Sequence, residues 1–104
     1  MDRIEKLKAF LEENGTDSFL QHALALEYIK TGNETGAEKL FTEILEREPG
    51  YIGSYYHLGK LLERKANIAG AIHIYAKGMD EAKKAGDNHS YSELQGALEE
   101  IDGE

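Results

Sequence analysis

The sequence predicts an all-α fold of about six helices built as a helical repeat. Three observations carry this. Similar residues coincide when the chain is shifted by 34 positions, apolar residues recur at helical spacing within each copy, and turn residues mark the ends of the helices. Under the shift Leu24 falls on Leu58, Ala25 on Gly59, Lys30 on Arg64 and Asn33 on Asn67. Ala37 then falls on Ala71, Leu40 on Ile74 and Phe41 on Tyr75. Small residues meet small ones, aromatics meet aromatics, and turn residues meet turn residues.

The elements follow in order. The segment 2–14 is predicted as an N-terminal helix resembling half a repeat, because Leu7, Phe10 and Leu11 align with Phe41, Ile44 and Leu45 at the same offset. Its match is partial, since Ala37 lands on Arg3. The first full repeat, 18–51, opens with a helix carrying Leu20, Leu24, Ala25 and Tyr28. Thr31-Gly32-Asn33 breaks that pattern: Gly32 suits a left-handed helix end and Asn33 suits the N-cap of the next helix. The second helix carries Ala37, Leu40, Phe41, Ile44 and Leu45 on one face and stops at Glu48-Pro49-Gly50. The second repeat, 52–86, repeats the design with Tyr55, Leu58, Gly59 and Leu62, a break at Lys65-Ala66-Asn67, then Ala71, Ile74, Tyr75 and Met79.

Beyond this point the spacing changes. Where Pro49 stops the earlier helix its counterpart is Lys83, so the second helix can continue to about Gly86. An offset of 36 then places Tyr55 on Tyr91, Leu58 on Leu94 and Leu62 on Leu98. The segment 88–102 is predicted as a capping helix. One face (Tyr91, Leu94, Leu98, Ile101) covers the end of the core, and Glu93, Glu99 and Glu100 face water. The whole of 1–104 is expected to form a single repeat domain.

These residues resemble the tetratricopeptide repeat family. Its pattern of an aromatic, Leu-Gly and Tyr, followed by Ala, an aromatic and Pro, is present in partial form twice. The first copy is Leu24-Ala25, Tyr28, Ala37, Phe41 and Pro49; the second is Tyr55, Leu58-Gly59, Leu62, Ala71 and Tyr75. Departures are Gln21 where the family prefers Trp, Leu62 in place of Tyr, and Lys83 in place of Pro. The resemblance implies antiparallel helix pairs in a right-handed superhelix, with a concave face lined mainly by the first helix of each repeat. It also implies a protein–protein interaction module that grips an extended peptide or a helix of an unidentified partner protein.

The candidate groove lies on the first helices, away from their core stripes. In the first repeat it comprises Phe19, His22, Leu26, Ile29 and Lys30. In the second the equivalents are Gly53, Tyr56, Lys60, Glu63 and Arg64. Phe19, Leu26, Ile29 and Tyr56 are bulky where a solvated face would be polar. They offer an apolar floor, with Lys30, Lys60 and Arg64 as a basic rim suited to an acidic or carboxylate group. The competing reading is that these apolar residues pack on the N-terminal helix or on one another. A structural role is the alternative function, with terminal helices pairing two copies into a homodimer.

The resemblance also allows one specific function to be tested. Chaperone-binding members clamp a terminal carboxylate with Lys, Asn and Arg side chains on successive helices. The corresponding places here hold His22 and Leu26, then Tyr56 and Lys60. On the third helix they hold Ser90 and Leu94 or Ser92 and Gly96, depending on register. The asparagines and most basic residues are missing, so no such clamp is expected.

Other function classes find little support. A net charge of −8 disfavours a nucleic-acid partner, which requires a basic surface, and modestly favours basic partners. No basic head and apolar core opens the chain, and no apolar run approaches the roughly 18–20 residues that span a bilayer, so a soluble cytoplasmic protein without a membrane partner is expected. With no cysteine there are no thiolate sites. His22, His57, His73 and His89 lie on different helices, and only His89 and Glu93 share i, i+4 spacing, so no metal site is expected. No phosphate-binding glycine loop or nucleophile elbow is present, so neither a cofactor nor an enzyme activity is predicted. Of the six tyrosines, Tyr51 and Tyr56 alone fall where they are open to a partner.

Overall fold

The computed structural model describes residues 2–103 and contains six α-helices, with no strand among those residues. They are α1 (Arg3–Glu13), α2 (Ser18–Lys30), α3 (Glu34–Arg47), α4 (Gly53–Arg64), α5 (Ile68–Ala85) and α6 (Asn88–Asp102). The chain divides into two compact units, 1–48 and 49–104. In the first, α2 packs on both α1 and α3; in the second, α5 packs on both α4 and α6, and α6 also reaches α4.

Short polar side chains set the helix starts. Asp2, Asp17, Asn33, Asn67 and Asp87 each accept a hydrogen bond from the backbone N–H three residues on, at 2.8–3.0 Å, satisfying a donor that the first turn leaves open. Asp87 also accepts from the Ser90 hydroxyl. These Ser90 hydrogen bonds hold its carboxyl below the usual carboxylate range. Helix α4 instead has Ile52 at its N-cap position and no side-chain cap, after the Pro49-Gly50 turn. Each hairpin turn passes through the left-handed region, at Gly32 (φ 85°) and at its repeat partner Ala66 (φ 62°). A Cβ in that conformation meets the following carbonyl, so the second unit carries a local strain that the first avoids.

The apolar stripes are buried or half-buried as their spacing predicts, except that Phe10 of α1, aligned with the buried Ile44, is 55 % exposed. Ala37, Phe41 and Ile44 of α3, together with Tyr55, Ala71 and Tyr75 of the second unit, are wholly shielded from solvent. In α6 the buried centre is Leu94 and Ala97, with Tyr91, Leu98 and Ile101 half-buried beside them. Leu94 and Ala97 stand 36 residues beyond Leu58 and Leu61, all four buried, so α6 follows the longer offset. That offset has a physical source. Helix α5 has 18 residues where α3 has 14, and it ends at Gly86 in the left-handed conformation.

Two glycines in the second unit leave room for side chains of the facing helices. A Cβ on Gly59 would lie 2.1 Å from Tyr75 Cε1, and one on Gly78 would lie 2.7 Å from Tyr55 Cβ and 2.9 Å from Leu94 Cδ1. Each of α4 and α5 therefore sets a tyrosine ring against a glycine of the other.

The place where the family prefers Trp is filled differently in the two units. Gln21 is buried, and the Arg47 guanidinium donates to its Oε1 (2.6 Å) and to the Ser18 hydroxyl (2.7 Å). That hydroxyl in turn donates to Glu48 at 2.8 Å. Its counterpart Tyr55 donates its hydroxyl to the Pro49 carbonyl at 2.5 Å. Burial, with the Glu81 carboxylate nearby, pushes the Tyr55 phenol up to about 12.

Two substitutions of opposite sign test this packing. Gly59→Ala should lower the unfolding free energy by about 1–3 kcal/mol despite the better helix propensity of alanine, because the Tyr75 ring is buried and cannot withdraw. Ala66→Gly should raise it by about 1 kcal/mol, the relief of left-handed strain outweighing the added freedom of the unfolded chain. Urea titrations with unchanged slope would check both.

Candidate functional site

In the first unit the candidate residues all lie on α2. Phe19 is 70 % exposed, while Leu26 and Ile29 are half-buried. The apolar character of α2 therefore extends beyond the stripe formed by Leu24 and Ala25, whereas α3 has a polar outer face. His22 is also half-buried, and its ring meets the edge of the Phe41 ring, with centroids 5.4 Å apart. It thus borders the α2–α3 contact. Lys30 lies 3.5 Å from Glu27, a carboxylate that also takes Arg3 of α1 at 2.9 Å. Lys8 of α1 lies over the Tyr28 ring at 5.9 Å, so α1 meets α2 on the side bearing Glu27 and Tyr28.

In the second unit Tyr56 and Lys60 come together. The Lys60 ammonium stands over the Tyr56 ring, 5.5 Å from its centroid. It is also 3.6 Å from Glu63, one turn on in the same helix, and 3.5 Å from Glu100 of α6. Glu63 in turn accepts a short hydrogen bond from the buried Tyr75 hydroxyl. Burial pushes the Tyr75 phenol upward, and the Glu63 hydrogen bond and charge add to this. Burial alone would lower the Lys60 pKa, but Glu63, Tyr56 and Glu100 together outweigh it and raise it. Arg64 is exposed at the end of α4 and engages other groups of the protein. The two rim lysines are therefore matched locally by carboxylates, and the positive charge anticipated there is largely balanced.

Tyr56 also meets His57, their rings edge to face at 5.8 Å. Burial lowers the His57 pKa; Glu93 of α6 opposes this and Arg64 adds to it. Among the described residues no three His, Asp or Glu side chains are grouped as a metal site would need, and no helix is long and apolar enough to cross a membrane.

Glu100 and Tyr75 belong to this constellation although neither was singled out for it. Glu100 had a signal: the offset of 36 places it on Arg64, itself the repeat partner of Lys30. The groove position thus changes sign in the last helix. Tyr75 reads as core, and its hydroxyl acquires a role only once its neighbours are located.

Comparison with known proteins bears on the family. No family model matches the chain. The structure is similar to that of a tetratricopeptide repeat domain protein from Salinibacter ruber, at 44 % identity and a TM-score of 0.81, covering 84 % of this chain and 97 % of that one. The chain belongs to the tetratricopeptide repeat family. The solution structure of a Bordetella parapertussis protein is also similar, at 26 % identity and a TM-score of 0.83 over 97 % of this chain and 88 % of the other. A TPR repeat-containing protein of Pseudomonas aeruginosa is 25 % identical over 99 residues, 95 % of this chain and 94 % of its own. The tetratricopeptide fold is in general that of a protein–protein interaction module, a scaffold that is typically not an enzyme.

The lowered His57 pKa makes a prediction with a definite sign. The folded protein keeps this imidazole neutral to lower pH than the unfolded chain, whose histidines protonate near about 6.5. Its contribution to stability is complete above that value and is lost as pH falls toward and through the folded pKa. Unfolding free energies of the wild type and His57→Gln, measured from about pH 7.5 to 5, should differ by an amount that shifts against the wild type on acidification. A constant difference would contradict the assignment.

Proposed function

We propose that this tetratricopeptide domain binds a peptide or helix of a partner protein on the outward stripe of α2, mainly through apolar contacts, with α4 of the second unit carrying the equivalent stripe. The observation that carries this reading is the second apolar face of α2. Phe19 stands 70 % exposed, and Leu26 and Ile29 remain partly accessible, on a helix whose core duties fall to Leu24 and Ala25. Apolar side chains left open on a repeat helix are more useful to a partner than to the fold. In α4 the matching stripe supplies Tyr56, an aromatic of the kind that anchors interfaces.

The chemistry argues against a terminal-carboxylate clamp of the chaperone-binding kind. His22 is committed to the Phe41 ring, Leu26 is aliphatic, and Lys60 already has two carboxylates. With the longer offset supported by the burial of Leu94 and Ala97, the third helix presents Ser92 and Gly96 at the corresponding places. Neither supplies the amide or cation that such a clamp requires. Ser92 and Gly96 instead leave room for a bulky partner side chain.

Affinity capture from native lysate would test this reading with the wild type, Leu26→Glu, and Lys39→Glu on the exposed face of α3 as a control. A carboxylate at position 26 should reduce capture of the partner about tenfold or more, while the control retains it. Undiminished capture by a Leu26→Glu protein of unchanged helix content would rule out the groove.

A further inference from the structure

Phe10 of α1 lies outside both the core and the groove. It is exposed, although the repeat places it on Ile44 of α3 and Gly78 of α5, which are buried. At Gly78 the source of that burial is visible: a side chain there would meet Tyr55 of α4 and Leu94 of α6. Among the described residues α1 packs on α2, burying Leu7, with Arg3 reaching Glu27 and Lys8 the Tyr28 ring. Phe10 is left on the open side, beside Lys6, Ala9 and Glu13, all of them exposed. Neither Lys6 nor Glu13 has an ion pair among the described residues. The two stand two turns apart, about 10.5 Å along the axis, beyond the spacing at which side chains of one helix pair.

We propose that this face of α1 pairs antiparallel with α1 of a second copy of the chain, about a two-fold axis passing between Ala9 and Phe10. The order of charges makes the face complementary to itself when reversed. Lys6 and Glu13 both lie about 5 Å along the helix from that midpoint, so the two-fold sets each lysine against the other copy's Glu13. Each Phe10 ring then covers the other copy's Ala9, whose small side chain leaves room for it. The antiparallel arrangement also places opposite ends of the helix dipoles side by side. A peptide of uniform charge would suit either Lys6 or Glu13 and be repelled by the other, so a second copy is the occupant that satisfies both. The contact is one short helix wide and each chain carries a net charge of −8, so the dimer is weak and forms at high protein concentration. It uses no residue of the α2 groove, and the two readings stand or fall separately.

Sedimentation equilibrium of the full chain up to millimolar concentration reads the pairing directly. The wild type should approach the mass of a dimer at the upper end. Phe10→Ala, Lys6→Glu and Glu13→Lys should each weaken dimerisation about tenfold or more. Lys6→Glu and Glu13→Lys mixed in equal amounts should recover it as a heterodimer, because the reversed charges match again. Glu12→Lys makes the same change of charge about 100° round the helix and should leave the dimer within about twofold of the wild type. Circular dichroism establishes that the variants fold. A wild type that stays monomeric at millimolar concentration overturns the proposal. So do charge variants that dimerise as the wild type does, or a mixture that associates no better than its components. Dimerisation lost with Leu26→Glu and kept with Phe10→Ala would move the contact to α2 and overturn it as well.

Discussion

The second unit is organised by a steric constraint: two tyrosine rings pressed against two glycines across the α4–α5 contact. Gly59 gives way to Tyr75 and Gly78 to Tyr55, so neither glycine position tolerates even a methyl group without movement of a buried ring. Both rings are wholly buried, yet each has a polar hydroxyl that must find a partner. Tyr55 reaches the carbonyl of Pro49, which ties the turn before α4 to the core. Tyr75 reaches Glu63, and Glu63 then helps hold Lys60 over Tyr56. The polar cluster at the groove position is a downstream consequence of how α4 and α5 pack.

The first unit solves the same packing problem with different chemistry. Where the second has Tyr55 and Gly78, the first has Gln21 and Ile44 at the repeat-related positions, both buried. Bulk has moved from one helix to the other. The amide left inside is satisfied by Arg47, whose guanidinium joins Gln21 to Ser18. Hydrogen bonds from a charged donor are stronger than neutral ones, which suits a buried site lacking the large aromatic of other family members. The two units are thus alike in their helices and unlike in the interactions that fasten them.

Much of the architecture could be read from the residues because it follows from periodicity. Asn33 and Asn67 and Phe41 and Tyr75 recur at one offset and their types state their roles, a cap and a core ring, whereas the turn stated by Gly32 is legible at Ala66 only from the repeat. The change of offset before α6 was also legible, since Lys83 stands where Pro49 ends the preceding second helix. Charge pairing was harder to see. Lys30 and Lys60 look like an open basic rim in one dimension, but their partners depend on side-chain reach. Glu27 is local to Lys30, whereas Glu100 is forty residues from Lys60 and is brought near only by the return of α6 onto α4. His22 illustrates the same limit. Its helical position suggests an outward residue, and only the placement of Phe41 turns it toward the edge of the core.

The fit of Tyr75 on Gly59 bears on how freely such a repeat accepts substitution. In the first unit the equivalent residues are Phe41 and Ala25, both wholly buried. One pair carries a phenolic oxygen and no methyl; the other carries a methyl and no phenolic oxygen. A methyl at Gly59 would meet ring carbons of Tyr75, so alanine is admitted there only if the buried ring shifts. The hydroxyl of Tyr75 carries this steric constraint outward to Glu63. The surface of this domain that could adapt to a new partner is therefore less free than its exposure suggests, because the carboxylate at position 63 answers to a hydroxyl in the core.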